Sequence, residues 1–74
     1  MTVYVKHENT RIDRLNVTFE LGKRYRLGSV LNEVYEGEYN GHSRKELDIM
    51  RGILHILISK DYIAKVDEIG ADVK

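Results

Sequence analysis

The apolar and polar positions of this chain change their period along its length. Thr2 to His7 (TVYVKH) alternates, with Val3 and Val5 on one side and Tyr4 and Lys6 on the other, the pattern of a half-buried strand. Glu8-Asn9-Thr10 supplies turn chemistry. Arg11 to Leu15 reads as one helical turn or as a loop pinned at Ile12 and Leu15. Asn16 to Leu21 (NVTFEL) alternates again, with Val17, Phe19 and Leu21 on one face; its β-branched and aromatic content predicts a second strand, ended by Gly22-Lys23.

From Leu27 the spacing lengthens. Leu27, Val30, Leu31, Val34 and Tyr35 follow the i, i+3, i+4, i+7, i+8 pattern of an amphipathic helix, with Gly28-Ser29 at its start and Gly37 where a C′ glycine would sit. Glu36 to His42 (EGEYNGH) reads as a loop, with Asn40-Gly41 as its turn. The longest periodic run follows, Ser43 to Ser59 (SRKELDIMRGILHILIS), opening on Ser43 and Glu46 at capping-box spacing. On a helical wheel its apolar residues fill one arc of roughly 200°. Arg44, Lys45, Asp48, Arg51, Gly52, His55 and Ser59 form the remaining stripe. Tyr62 to Asp67 alternates weakly, as a returning strand, and Ile69 to Asp72 reads as a turn. The expected fold is α+β, ordered β-β-α-α-β, a single domain over residues 1–74 built around a helix at 43–59.

Length alters this picture by limiting the core. A chain of 74 residues buries only about 60% of its unfolded surface, so its stability margin is thin. With no cysteine, neither a disulfide nor a thiolate metal site can reinforce it. The wide apolar arc therefore predicts a homodimer, with Ile49, Ile53 and Ile56 as candidate interface residues. Twelve basic and twelve acidic side chains cancel, which argues against wholesale coating of nucleic acid but leaves room for a local basic patch. No apolar run approaches the roughly 18 to 20 residues of a membrane span, and the opening residues lack a signal-peptide core, so a cytoplasmic, membrane-free protein is expected.

Catalytic chemistry needs converging polar groups, and the sequence shows none. His7, His42 and His55 have no ligand partner at i+3 or i+4; for His55 those positions are Ile58 and Ser59. Ser43 is read as a cap and Ser59 as a helix end. The glycines at 37 and 41 do not follow a strand and open a helix as a phosphate-cradling loop must. The expectation is a non-enzyme with no catalytic residues, no metal, no cofactor and no small-molecule substrate.

The text LHILISKDYIAKVDEIGADVK, from Leu54 to the C-terminus, resembles the end of a winged helix-turn-helix domain. Leu54 and Leu57 match the helix leucines, Lys60-Asp61 the polar step, Tyr62-Ile63 the strand entry and Ile69 to Asp72 the wing tip. The resemblance implies that Leu27 to Tyr35 is the supporting helix, Glu36 to His42 the turn and Ser43 to Ser59 the recognition helix. Arg44 and Lys45 on its first turn would then meet base edges in the major groove, with Arg51 and His55 along the same stripe. Lys65 and the cluster Lys23, Arg24 and Arg26 would add phosphate contacts. The implied function is that of a small cytosolic DNA-binding transcriptional regulator, of phage or mobile-element type, with double-stranded DNA as partner. Beside it stands a plainer reading: Asp48 lies at i+4 from Arg44 and three residues from Lys45 and Arg51, so the stripe can neutralise itself as a solvated face. A second functional class is a protein–protein module, either a homodimeric adaptor or a small inhibitor of a host protein, with no nucleic-acid role.

Overall fold

A computed structural model describes residues 5–70, and among them there is no α-helix. The chain runs through β1 (Thr10–Ile12), β2 (Val17–Phe19), β3 (Arg24–Ser29), β4 (Val34–His42), β5 (Glu46–Arg51), β6 (Leu54–Ser59) and β7 (Ile63–Gly70). Two short 3-10 turns, Asp13–Leu15 and Lys60–Tyr62, interrupt it. The fold is all-β, which overturns the expected α+β winged helix and with it the resemblance to winged helix-turn-helix domains.

The run from Ser43 to Ser59 is a hairpin rather than a helix. Gly52 adopts φ +66 and, with Ile53, forms a two-residue turn between β5 and β6. On one side of the sheet β5 presents Leu47 and Ile49 while β6 presents Ile56 and Ile58, paired Leu47 with Ile58 and Ile49 with Ile56. Two period-2 strands laid end to end across a turn place apolar residues at spacings that a single wheel reads as one arc. The conflict shows at Ile53, central to the helical arc but 92% exposed at the turn. The Ser43-x-x-Glu46 signal is also real but serves another element. Ser43 Oγ accepts from the Glu46 N–H (3.1 Å), and the Ser43 N–H donates to the Glu46 carbonyl (2.8 Å). The same short-range chemistry that caps a helix here closes the β4–β5 turn.

Leu27 to Tyr35 is likewise two strands and a loop. Arg24 to Ser29 alternates polar and apolar, burying Tyr25 and Leu27. Ser29 then reverses the chain: its Oγ accepts from the Leu31 and Glu33 N–H groups, and Asn32 sits at φ +65. That is a three-residue hairpin loop ending in a left-handed residue. Val30, Leu31 and Val34, the expected core of a helix, lie exposed around it. Asn40-Gly41 is no turn either. It lies inside β4, where the register with β5 shifts between Tyr39 and Gly41. Gly41 has φ +143, and a side chain there would collide with the Lys6 carbonyl. The expected strand at Asn16 to Leu21 contains β2, and that at Tyr62 to Asp67 overlaps β7. Half of the first expected strand (residues 2–4) and part of the wing tip (71 and 72) lie outside the described residues; of the other half only Lys6 forms a bridge, to His42, and Ile69 and Gly70 belong to β7.

The large sheet is antiparallel, in the order β6-β5-β4-β3-β7. This order makes the sheet roll. Five strands about 4.8 Å apart place β6 and β7 about 19 Å from each other in a flat sheet. The Lys60–Tyr62 turn that joins them advances only about 6 Å. The two edges must therefore curl toward each other, and the bulge in β4 assists the bend. Inside the curl lie Tyr25, Leu27, Tyr39, Leu47, Ile49 and Ile63, all essentially inaccessible. The β1–β2 hairpin adds Ile12 and Phe19, whose ring meets that of Tyr25 edge-on at 4.8 Å.

A carboxylate latch holds the Lys60–Tyr62 turn against the β3–β4 loop. Glu33 Oε1 accepts from the Tyr62 hydroxyl (2.7 Å) and the Tyr35 hydroxyl (2.8 Å). These bonds, that from Tyr62 foremost, hold the Glu33 carboxyl below its ordinary range, as Arg26 does for Glu36. A carboxyl depressed in the folded state stabilises it above the unfolded pKa of about 4.3 and loses that contribution as pH falls through the folded value. The urea midpoint is accordingly expected to hold between pH 7 and about 5 and to fall on further acidification. Glu33→Gln should flatten part of the fall; an acid slope identical to the parent's would show that the latch contributes nothing.

Candidate functional site

The sequence-derived contacts to DNA do not gather on one surface. Arg44 and Lys45 occupy the turn before β5, and Arg51 ends that strand, so Lys45 and Arg51 stand about 20 Å apart along it. Arg24 and Arg26 lie on the outer face of β3, opposite Glu38 and Glu36 in register. Arg26 Nε donates to Glu36 at 2.6 Å, Lys23 lies 3.4 Å from Glu68 and 3.5 Å from Glu20, and Lys65 lies 4.0 Å from Asp67. The Glu68 hydrogen bond is the chief reason that the Lys23 ammonium is held above its usual range. The proposed interface set also divides: Ile49 is core, Ile56 packs against the core from β6, and Ile53 projects from the turn.

His55 takes part in a polar row across three strands. Asp48 in β5 is 3% exposed yet carries a carboxylate, and no lysine or arginine reaches it among the described residues. Asn40 Nδ2 of β4 donates to its Oδ2 at 2.9 Å, and His55 Nδ1 of β6 lies 3.1 and 3.0 Å from its two oxygens. Two hydrogen-bond partners thus satisfy a carboxylate that burial would otherwise penalise. The arrangement fixes the imidazole with Nδ1–H toward Asp48 and Nε2 away from it. An oriented imidazole is one component of a catalytic constellation, but no serine or threonine hydroxyl is hydrogen-bonded to it among the described residues. Nor is there a group of three or more metal-ligating side chains among them.

No family model, no curated protein and no solved structure matches this chain. Its function is therefore read from its own geometry. Among the described residues, no helix is long and apolar enough to cross a membrane.

Two features stand out from the rest of the surface. One is strand β6 at the edge of the sheet, LHILIS, with Leu54 and Leu57 exposed. The other is a cavity of about 760 Å³ at the end of the sheet where β4 passes into β5, lined by Lys6, His42, Ser43, Arg44, Lys45, Glu46 and Ser59. Lys6 reaches it by pairing with His42 through two backbone bonds, 2.8 and 3.0 Å. Lys60 Nζ lies 3.1 Å from His42 Nδ1, and His42 Nε2 lies 3.3 Å from Glu8 Oε2. With the imidazole proton on Nε2, Lys60 donates to Nδ1 and Nε2–H donates to Glu8, whereas a proton on Nδ1 faces the Ser43 carbonyl at 3.1 Å.

Sequence reasoning found Arg44 and Lys45 but not Lys6, His42 and Lys60, which approach them through pairings across the sheet. It placed Asp48 beside Arg44 and Arg51 on a helix, whereas strand register gives it Asn40 and His55. Reading Gly52 as a turn residue would have set Asp48 beside His55 and Lys45 beside Lys60, but not Lys6 beside His42.

Proposed function

We propose that the protein is a small non-catalytic interaction module that joins to a second copy of itself through β6. The single observation behind this reading is the contrast between the two edges of the large sheet. Strand β7 carries Lys65, Asp67 and Glu68, the charges by which edge strands discourage further pairing. Strand β6 has no lysine, arginine, aspartate, glutamate or proline, and no bulge against β5.

The phase of the β5–β6 ladder fixes what β6 offers. The Lys60 N–H donates to the Lys45 carbonyl (2.8 Å), and Leu54 closes the two-residue turn opposite Arg51. Even-numbered residues of β6 therefore bond to β5, and His55, Leu57 and Ser59 direct their N–H and C=O groups outward. An antiparallel copy related by a two-fold axis at Leu57 pairs Leu57 with its own counterpart and His55 with Ser59. That register forms about six backbone hydrogen bonds and covers Leu57, which is 42% exposed in the single chain. No like charges face each other across it. Strand addition of this kind buries less than a standard interface, so a reversible, concentration-dependent dimer is the expected form.

Sedimentation equilibrium tests the reading. The parent should show a monomer–dimer equilibrium in the micromolar to high-micromolar range, and Leu57→Lys, which places two ammonium groups at the axis, should be monomeric with unchanged circular dichroism. A parent that stays monomeric at about 0.5 mM, a concentration well above that of specific weak dimers, sinks the proposal. A duplex-DNA role would draw on cations that the fold spreads over both ends of the sheet and partly pairs with carboxylates, so their placement lends it no support.

A further inference from the structure

We infer that the cavity at the β4–β5 end of the sheet is a binding site for a phosphate group. The chain as a whole is neutral, yet its cations are not distributed evenly with respect to carboxylates. On the body of the sheet Arg26, Lys23 and Lys65 each lie within 4.0 Å of an acid, and Arg24 and Arg51, though without an ion pair, stand near enough to Glu36 to help Arg26 lower its carboxyl. At the cavity, Lys6, Arg44 and Lys45 have no carboxylate within ion-pair distance among the described residues, and Glu46 is the one acid on the lining. Glu8 is engaged by His42, which lines the cavity, and Lys60 stands behind that imidazole. The site is thus a concave surface with three uncompensated cations at its wall and a fourth in reserve.

The turn adds to this. Ser43 and Glu46 bond to each other and so hold the bend open, while the backbone N–H groups of Arg44 and Lys45 donate to nothing in the chain among the described residues. Successive free amides flanked by an arginine fork and a lysine ammonium match the tetrahedral oxygens of a phosphate, which accept from several directions at once. Size narrows the ligand further. A bare ion needs far less than about 760 Å³, and that volume lies within the roughly 300 to 1,000 Å³ of sites for small organic molecules. The occupant is therefore a phosphate carried on a larger body, whether a free mononucleotide-sized phosphate ester or a nucleotide within a strand; the shared phosphate is what the cations recognise. The site shares Ser59 with the proposed dimer, but its cations and free amides belong to residues 6 and 44–45, none of which the pairing of β6 engages.

Amide chemical shifts of the full chain at low ionic strength provide the test, with three probes: inorganic phosphate, adenosine monophosphate and a short single-stranded oligonucleotide. Titration with the nucleotide or the oligonucleotide is expected to move the resonances of Lys6 and of residues 42–46 together. The double change Arg44→Glu with Lys45→Glu should weaken that binding at least about tenfold, whereas Arg24→Glu, on the outer face of β3, should leave it within about twofold. A response to the nucleotide at least as strong as to the oligonucleotide identifies a free ester as the source. A response to the oligonucleotide alone identifies a strand. If no probe shifts these residues at millimolar concentration, or if Arg24→Glu weakens binding as much as the double change does, the site is overturned. Phosphate alone producing the full effect would likewise overturn the inference of a larger ligand.

Discussion

Replacing Tyr39 with alanine is expected to remove a large share of the fold's stability. The Tyr39 ring is wholly buried and lies 5.6 Å from that of Phe19, so it joins the small hairpin to the rolled sheet. Its hydroxyl donates to the Glu8 carbonyl at 2.6 Å, and burial, with the Glu8 carboxyl nearby, holds the phenol protonated far above its ordinary range. Its backbone is engaged as well, donating to the Lys23 carbonyl and accepting from the Gly22 N–H. Deleting a buried aromatic ring costs about 3–5 kcal/mol, against a total of about 4–11 kcal/mol for a domain of this length. Tyr39→Phe keeps the ring and strands only the Glu8 carbonyl, for about 1 kcal/mol. Urea unfolding followed by circular dichroism separates the two. An alanine variant whose midpoint stays within about 0.5 M of the parent's would contradict the packing described.

Gly37→Val should be comparably severe for a different reason. Gly37 lies in the middle of β4, and a Cβ there would come 2.5 Å from Ile49 Cγ2 and 2.5 Å from the Met50 carbonyl oxygen. A side chain could yield, but a ladder carbonyl cannot without parting β4 from β5, and valine adds two more carbons at the same point. The expected loss is about 3 kcal/mol or more. Gly28→Ala is the matched control, since its Cβ would meet Lys65 Cβ at an ordinary 3.5 Å. Equal unfolding midpoints for the two variants would show that β4 and β5 are not packed this closely.

The strands nearest to pure alternation were legible. Val17 to Phe19 and Ile63 onward fall where period-2 spacing puts them. Residues 43–59 were not, because a hairpin's two strands, offset by a two-residue turn, reproduce the angular pattern of a helix. Composition held the contrary signal: four isoleucines and a central glycine in that run favour strands over a helix interior. Ser43 and Glu46 misled for a physical reason, since a serine oxygen accepting an N–H three residues on serves a helix start and a tight turn alike. The surface was less legible still. Arg44 and Lys45 are neighbours in the chain, but Lys6, His42 and Lys60 join them only through the Lys6–His42 bridge and the sheet register. Likewise Asp48 finds His55 because β5 and β6 turn back on each other, a contact that no single-element pattern encodes.

The short passage from β6 to β7 also governs how fast the molecule can assemble. Strands β3, β4 and β5 each pair with the next strand along the chain, so their ladders close small loops. Strand β7 instead returns to β3, where Leu27 meets Val66 about forty residues away, and that closure costs loop entropy before any burial repays it. A helical arrangement of the same sequence would draw on local contacts and fold in microseconds to milliseconds; a sheet completed by its most distant pairing belongs in the millisecond-to-second class.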